Sequence, residues 1–129
     1  MSTAAPAILV VNMARLLDEC PAGVAASAAL QVRFDEAKAR FEKLRDKGSS
    51  SAGKRQAEEA AAHFQQEAVA DIEAERARLG EGVVAGLLPL IEALRIERGA
   101  SVVLDTRAAL AFDAAVDVTA DVLDRARAS

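Results

Sequence analysis

Few residues of this chain are of a type that could do chemistry. Histidine occurs once, as His63, and cysteine once, as Cys20. His63 lies in a stretch of helical periodicity without a ligand or base partner at motif spacing, which makes it an exposed or packing residue. A metal site would need a His/Cys cluster, and the sequence has none. Cys20 as a nucleophile would need a His or Asn placed by motif to activate it, and no such motif is present. A single cysteine also excludes an intrachain disulfide. Cys20 stands just before Pro21, where a Ser would be the expected helix cap, and a thiol is a poorer acceptor for that task. The stretch GEGVVAG (80–86) has the look of a phosphate-binding glycine loop. It has three residues between its second and third glycines where the dinucleotide fingerprint has two, and it follows a helical stretch instead of a strand. The expectation is a protein that is not an enzyme and uses no cofactor and no metal.

The elements that carry these residues can be read from periodicity. AILVV (7–11) is a short branched apolar run and predicts a buried strand. Asn12 is placed to cap a short helix over MARLLDE (13–19). Pro21 suits the first position of a long helix, where its missing N–H costs nothing. Leu30, Phe34, Ala37, Phe41 and Leu44 then recur at spacings of 4, 3, 4, 3, which is a heptad seam. After GSSSAG (48–53), Ala57, Ala61, Phe64 and Ala68 repeat 4, 3, 4, and Ile72, Leu79, Val83, Leu87, Leu90 and Leu94 continue the stripe with a drift. Gly80, Gly82, Gly86 and Pro89 predict a flexed or broken passage in it. Gly99 reads as a helix stop, with Arg95 and Arg98 in the last turn. SVVLD (101–105) predicts a second strand and LAF (110–112) a third. A final helix follows, with Asp117 or Thr119 as cap and Val118, Val122 and Leu123 packing it down.

A break rich in Gly and Ser between two helical stretches can be a linker between domains or the bend of one element folding back. Neither helix has another obvious partner for its stripe, so the seams favour an antiparallel hairpin with its tip at 48–53. The fold class is α+β: a small β-body from the N- and C-terminal strands, with a long helical hairpin inserted between them. Residues 1–21 and 99–129 form the body and 22–98 the hairpin, within a single domain overall. A sheet of about three short strands is small to stand alone, which predicts an oligomer.

Composition narrows the partners. The chain has 129 residues, a net charge of −4 and only 3% aromatic residues, without Trp or Tyr. Much Ala beside 28% charged residues is the profile of lightly packed helices. Nucleic acid, which needs a basic face, is excluded as the main partner. Residues 22–98 carry 12 Lys/Arg and 13 Asp/Glu, so the flanks hold most of the acidic excess. MSTAAPAILVVNMARLL lacks the basic start of a signal peptide, and no run reaches transmembrane length. On its own terms the chain reads as cytoplasmic, or as a mature form whose leader has been replaced by a start Met.

Taken in order, ILVVNMARLLDECPAG, a charged Ala-rich hairpin and GASVVLDTRAALAFDAAVDVTADVLDRAR resemble the Skp (OmpH-like) family of periplasmic chaperones, over residues 8–127. Each motif is weak alone, and their order and spacing together are fairly specific. The resemblance implies a homotrimer whose terminal strands build a central β-body. Three hairpin arms would then enclose unfolded outer-membrane proteins without ATP, metal or active site, in the periplasm. Two departures stand out. The arms are about two heptads shorter than the family pattern, on the order of 20 Å of reach. The chain is also acidic where familiar members are basic, so lipopolysaccharide binding and membrane contact are not carried over.

The residues expected to matter follow from that layout. Val10, Val11, Val103 and Leu104 are the expected subunit contacts. Leu30, Phe34, Phe41, Leu44 and Phe64 are the expected arm seam, holding the two helices together. Lys47, Gly48, Gly53, Lys54 and Arg55 make the tip the most basic spot on the hairpin. The competing reading is a structural or adaptor protein whose hairpin docks one folded partner. A small enzyme is the third and weakest reading.

Overall fold

The computed structural model describes residues 8–47 and 51–129. In chain order these form β1 (Ile8–Val11), α1 (Met13–Glu19), α2 (Pro21–Arg45), α3 (Ser51–Arg98), β2 (Val102–Asp105) and α4 (Thr119–Ala128), with 3-10 turns at Thr106–Ala108 and Ala114–Val116. The chain divides into two compact units. The first takes the chain up to Ala25 together with Gly80–Ser129, and the second is Ala26–Leu79. The expected boundary at 98/99 therefore moves back to 79/80. The reason is that Val83, Leu87, Ile91 and Leu94, spaced 4, 4, 3 along α3, are all buried. That is an amphipathic stripe committed to the core.

In the first unit β1 and β2 pair in parallel, with Leu9 opposite Val103 and Val10 opposite Leu104. Leu9, Val10 and Val11 are all buried. Three consecutive buried residues mean that β1 is covered on both faces, as a parallel strand requires. The Val118 amide donates to the Val10 carbonyl at 2.9 Å on a further bridge between Val10 and Asp117. The fully buried Leu16 of α1 and Val122 and Leu123 of α4 belong to the same core.

Local chemistry explains where these elements begin and end. The Asn12 side chain accepts the Arg15 amide at 3.1 Å and caps α1. Asn12's own amide donates to Thr119 Oγ1 at 2.9 Å, and that hydroxyl donates to Asp117 Oδ1 at 2.5 Å. Asp117 Oδ1 also accepts the Thr119 amide at 2.9 Å. Thr119 is thus buried with its hydroxyl both donating and accepting, and it ties the start of α1 to the start of α4. Cys20 caps α2, its buried Sγ taking the Gly23 amide at 3.3 Å. Gly23 has no substitute, because a Cβ there would fall 1.6 Å from the Leu17 carbonyl oxygen. At its far end α3 closes in a Schellman arrangement. Gly99 has φ 66°, its amide donates to the Ile96 carbonyl, and the Ala100 amide donates to the Arg95 carbonyl at 3.0 Å.

Two expectations need correction. α3 runs unbroken from Ser51 to Arg98 through Gly80, Gly82, Gly86 and Pro89. Pro89 leaves the helix without one amide donor and costs about 3 kcal/mol. The buried stripe from Val83 to Leu94 offsets it. The third strand at 110–112 does not form, and the sheet of the described residues has two strands. Asp105 and Asp113 turn the chain on either side of that stretch. Their carboxylates accept the Arg107 amide at 3.3 Å and the Ala115 amide at 2.9 Å. Such Asp-led turns compete with a strand for the same backbone groups.

Candidate functional site

The residues with chemical potential are not brought together. His63 is exposed on α3, with Nε2 3.0 Å from Glu67 Oε1. Cys20 is buried in the first unit and already accepts an amide. Among the described residues no group of three or more His, Cys, Asp or Glu is arranged to hold a metal. Among the described residues, no helix is long and apolar enough to cross a membrane either. What the molecule does offer is surface, in two forms.

The first surface is the paired α2–α3 segment of the second unit. Arg40 of α2 lies over the Phe64 ring of α3 at 5.0 Å. Earlier in α2, Arg33 acts on Glu75, later in α3. Descending numbers in one helix therefore meet ascending numbers in the other, and the two run antiparallel. Ala57 and Ala61 are buried, and Leu30, Ala37, Phe41, Leu44, Phe64, Ala68 and Ile72 are half-buried. Phe34, expected in the seam, is 54% exposed, and Val69 on α3 is 52% exposed. Small alanines bring the helices together, so the phenyl rings sit at the edges of the seam instead of filling it.

Charge is divided between the two helices. Within the second unit, residues 26–45 of α2 carry five Lys/Arg and three Asp/Glu, whereas residues 51–79 of α3 carry four Lys/Arg and six Asp/Glu. The pairing therefore joins a helix with a small basic excess to one with a small acidic excess, a complementary arrangement for coiled-coil contacts. Arg78 hydrogen-bonds Glu75 (Nε to Oε2, 3.0 Å) and holds that carboxyl below its ordinary value of 4.5, with Arg33 lowering it further. Two grooves flank the seam. One, of about 450 Å³, is bordered by Arg33, Glu36, Arg40, Glu67 and Asp71. The other, of about 170 Å³, is bordered by Phe34, Phe41, Phe64 and Val69, with Lys38 as the only charged residue.

Of the tip residues, Lys47, Lys54 and Arg55 are exposed and Gly53 is half-buried. Gly48 lies outside the described residues.

The second surface belongs to the first unit. Val10 and Val11, expected at a subunit contact, are each only 2% exposed and are spent on the chain's own core. Val103 and Leu104 are half-buried. Besides Val24, Leu88 and Ile96 on the helices, the large apolar side chains that reach solvent among the described residues of this unit are Ile8 and Val102, which are register partners, and Leu110 and Phe112. Sequence reasoning missed these four as surface. LAF had supplied the signal, an apolar triplet between two turns, but it was assigned to a strand. Asp105 ends β2, at the other end of the sheet from the Ile8–Val102 pair. Burial raises its pKa, but the Arg107 amide and guanidinium and the Met13 amide outweigh that and hold it below its ordinary value. Glu97 is held low by the Arg125 guanidinium, and Arg98 pairs with Asp121 at 2.7 Å, so α3 and α4 are clasped by two ion pairs.

Comparison with known proteins adds the family. The sequence profile described as "Outer membrane protein (OmpH-like)" matches residues 7–125. The fold resembles a crystal structure from Caulobacter crescentus CB15 of an OmpH-like protein proposed to be an outer membrane chaperone. The TM-score is 0.75 at 20% sequence identity, covering 98% of this chain and 87% of that one. No curated protein sequence matches significantly.

Proposed function

The chain belongs to the OmpH-like outer membrane protein family, and from that premise we propose that it is an ATP-independent holdase for unfolded outer-membrane proteins. The observation that carries this reading is the family match across residues 7–125, which takes in both terminal segments and the helices between them. In the proposed assembly three copies join through their first units. Ile8, Val102, Leu110 and Phe112, from the strands and the turns after them, are among the exposed apolar side chains available for that contact. The α2–α3 segments then act as hairpin arms around a client, and the place of action is the periplasm.

The physical logic is that of weak, repeated contact. A barrel protein in transit exposes apolar strands that would pair with one another. Arms that touch it at many weak points prevent that encounter, and several arms together give holding that no single contact supplies. Release needs no fuel, because each contact is weak alone.

The test has two readouts. Light scattering on the purified chain is expected to give a trimer. Near-stoichiometric amounts are expected to suppress aggregation when a denatured β-barrel protein is diluted from urea. A monodisperse monomer that suppresses nothing would overturn the proposal. A pull-down that returns one folded partner while unfolded clients are ignored would replace it with an adaptor role.

A further inference from the structure

The two grooves of the second unit divide its surface by chemistry. The larger groove is lined by Arg33 and Arg40 together with Glu36, Glu67 and Asp71, so its carboxylates outnumber its guanidiniums three to two. The smaller groove has Lys38 as its only charged lining residue, and Lys38 makes no ion pair among the described residues. Arg45, 3.7 Å from Asp46, lies over the Phe41 ring at 5.8 Å and brings a second cation to one of the groove's rings. Phe34 and Val69 contribute one half-exposed apolar side chain from each helix.

Resting on the chaperone reading above, we infer that the Phe34–Phe41–Val69 groove is the contact surface for an extended segment of an unfolded chain, with apolar side chains at alternate positions and acidic or neutral ones between. The size supports one anchoring side chain. The groove measures about 170 Å³, and a cavity of about 150 Å³ accepts benzene. An extended strand presents alternate side chains to one face, so an apolar anchor in the groove leaves its neighbours at the rim. The rim carries Lys38. An acidic neighbour is attracted there and a basic one repelled. The larger groove does not share this preference, because its carboxylates outnumber its guanidiniums.

The test uses the full chain and two labelled peptides of about ten residues, the length of a membrane-spanning strand. Both alternate Phe and Leu, with Asp at the intervening positions in one and Lys in the other. Fluorescence anisotropy at low salt is expected to show the Asp peptide binding roughly tenfold tighter, about what one well-placed charge contact supplies. Phe34→Ser and Val69→Ser, on different helices, are each expected to weaken it roughly five- to tenfold. Lys38→Glu is expected to reverse the ranking of the two peptides, and Glu67→Gln, in the other groove, to leave it unchanged. Unaltered binding by both Phe34→Ser and Val69→Ser overturns the inference. So does a change of oligomeric state in those variants, which would give the groove to a second copy. If the parent chain still suppresses aggregation in those cases, the chaperone reading stands and only this groove is wrong. A parent chain that binds neither peptide and suppresses nothing overturns both.

Discussion

The two units of this protein are built on opposite principles. The first is held by contacts between residues far apart in sequence. Asn12 bonds to Thr119, Val10 to Val118 and β1 to β2. Leu9, Leu16, Leu94, Val122 and Leu123 in its interior are at near-zero exposure. The second unit has two helices and, among its described residues, two buried side chains, Ala57 and Ala61. Large side chains there stay half open, and opposite charge supplements packing. A unit of the first kind keeps one shape, and a unit of the second kind has low local stability and keeps apolar surface available. For a protein proposed to hold unfolded chains, the contrast separates what must be rigid from what must be receptive.

That contrast can be broken at several points. The largest effect is expected from Gly23→Ala. Its Cβ would strike the Leu17 carbonyl, and the backbone must move, so the loss should exceed the ~3 kcal/mol that overpacking commonly costs. Thermal denaturation by circular dichroism is expected to show the first unit unfolded at temperatures where the parent is native. Next, Leu16→Ala should cost about 3 kcal/mol, because Leu16 is completely buried. The matching change Phe41→Ala in the half-buried seam should cost about half of that. Urea titration of the two variants checks the difference, and equal losses would mean that the second unit is as tightly packed as the first.

Smaller changes sharpen the comparison. Thr119→Val keeps the shape but leaves the Asn12 amide without its acceptor, at about 1–3 kcal/mol. Urea denaturation measures it, and a neutral result would detach that hydrogen bond from the stability of the first unit. Gly82→Ala should act in the other direction. Nothing lies within 4 Å of a Cβ built there, so a gain of about 0.5–1 kcal/mol is expected, read as a higher melting temperature. The smallest effect concerns acid. Glu97 and Glu75 are both held below 4.5 by arginines. A lowered folded pKa contributes stability above the unfolded value that is lost as pH falls through the folded one. Stability is therefore expected to decline as pH falls below about 4.5. Glu97→Gln, compared by melting temperature across pH 3–6, should flatten part of that decline.

Much of this architecture could be read from local patterns. Asn12, Pro21 and Gly99 mark helix ends through groups that satisfy or omit nearby backbone bonds, and each stands at the end where it was expected. Runs such as ILVV and VVLD gave their strands for a similar reason, since branched apolar residues suit a covered extended chain. The break expected at 80–89 does not occur, because propensity is summed over neighbours in sequence. The opposing contribution came from Val83, Leu87, Ile91 and Leu94 meeting a core assembled from other segments. LAF was misjudged for the converse reason. Its composition favours a strand, but a strand needs an edge to join, and the Asp-led turns beside it claim the backbone first.

The candidate surfaces divide in the same way. Heptad spacing brought Phe34, Phe41 and Phe64 into one stripe, because a 3.5-residue repeat places them on one side of their helices. How much of each ring stays exposed depends on how closely the helices approach, and the small side chains of Ala57 and Ala61 set that distance. Val10 and Val11 show the limit again. Being apolar marked them for burial, but whether a neighbouring subunit or the chain itself would cover them depended on where α4 and β2 came to rest. Residue type and spacing are local quantities and can be read along the chain. Exposure is a property of neighbours, and neighbours exist only once the chain has folded.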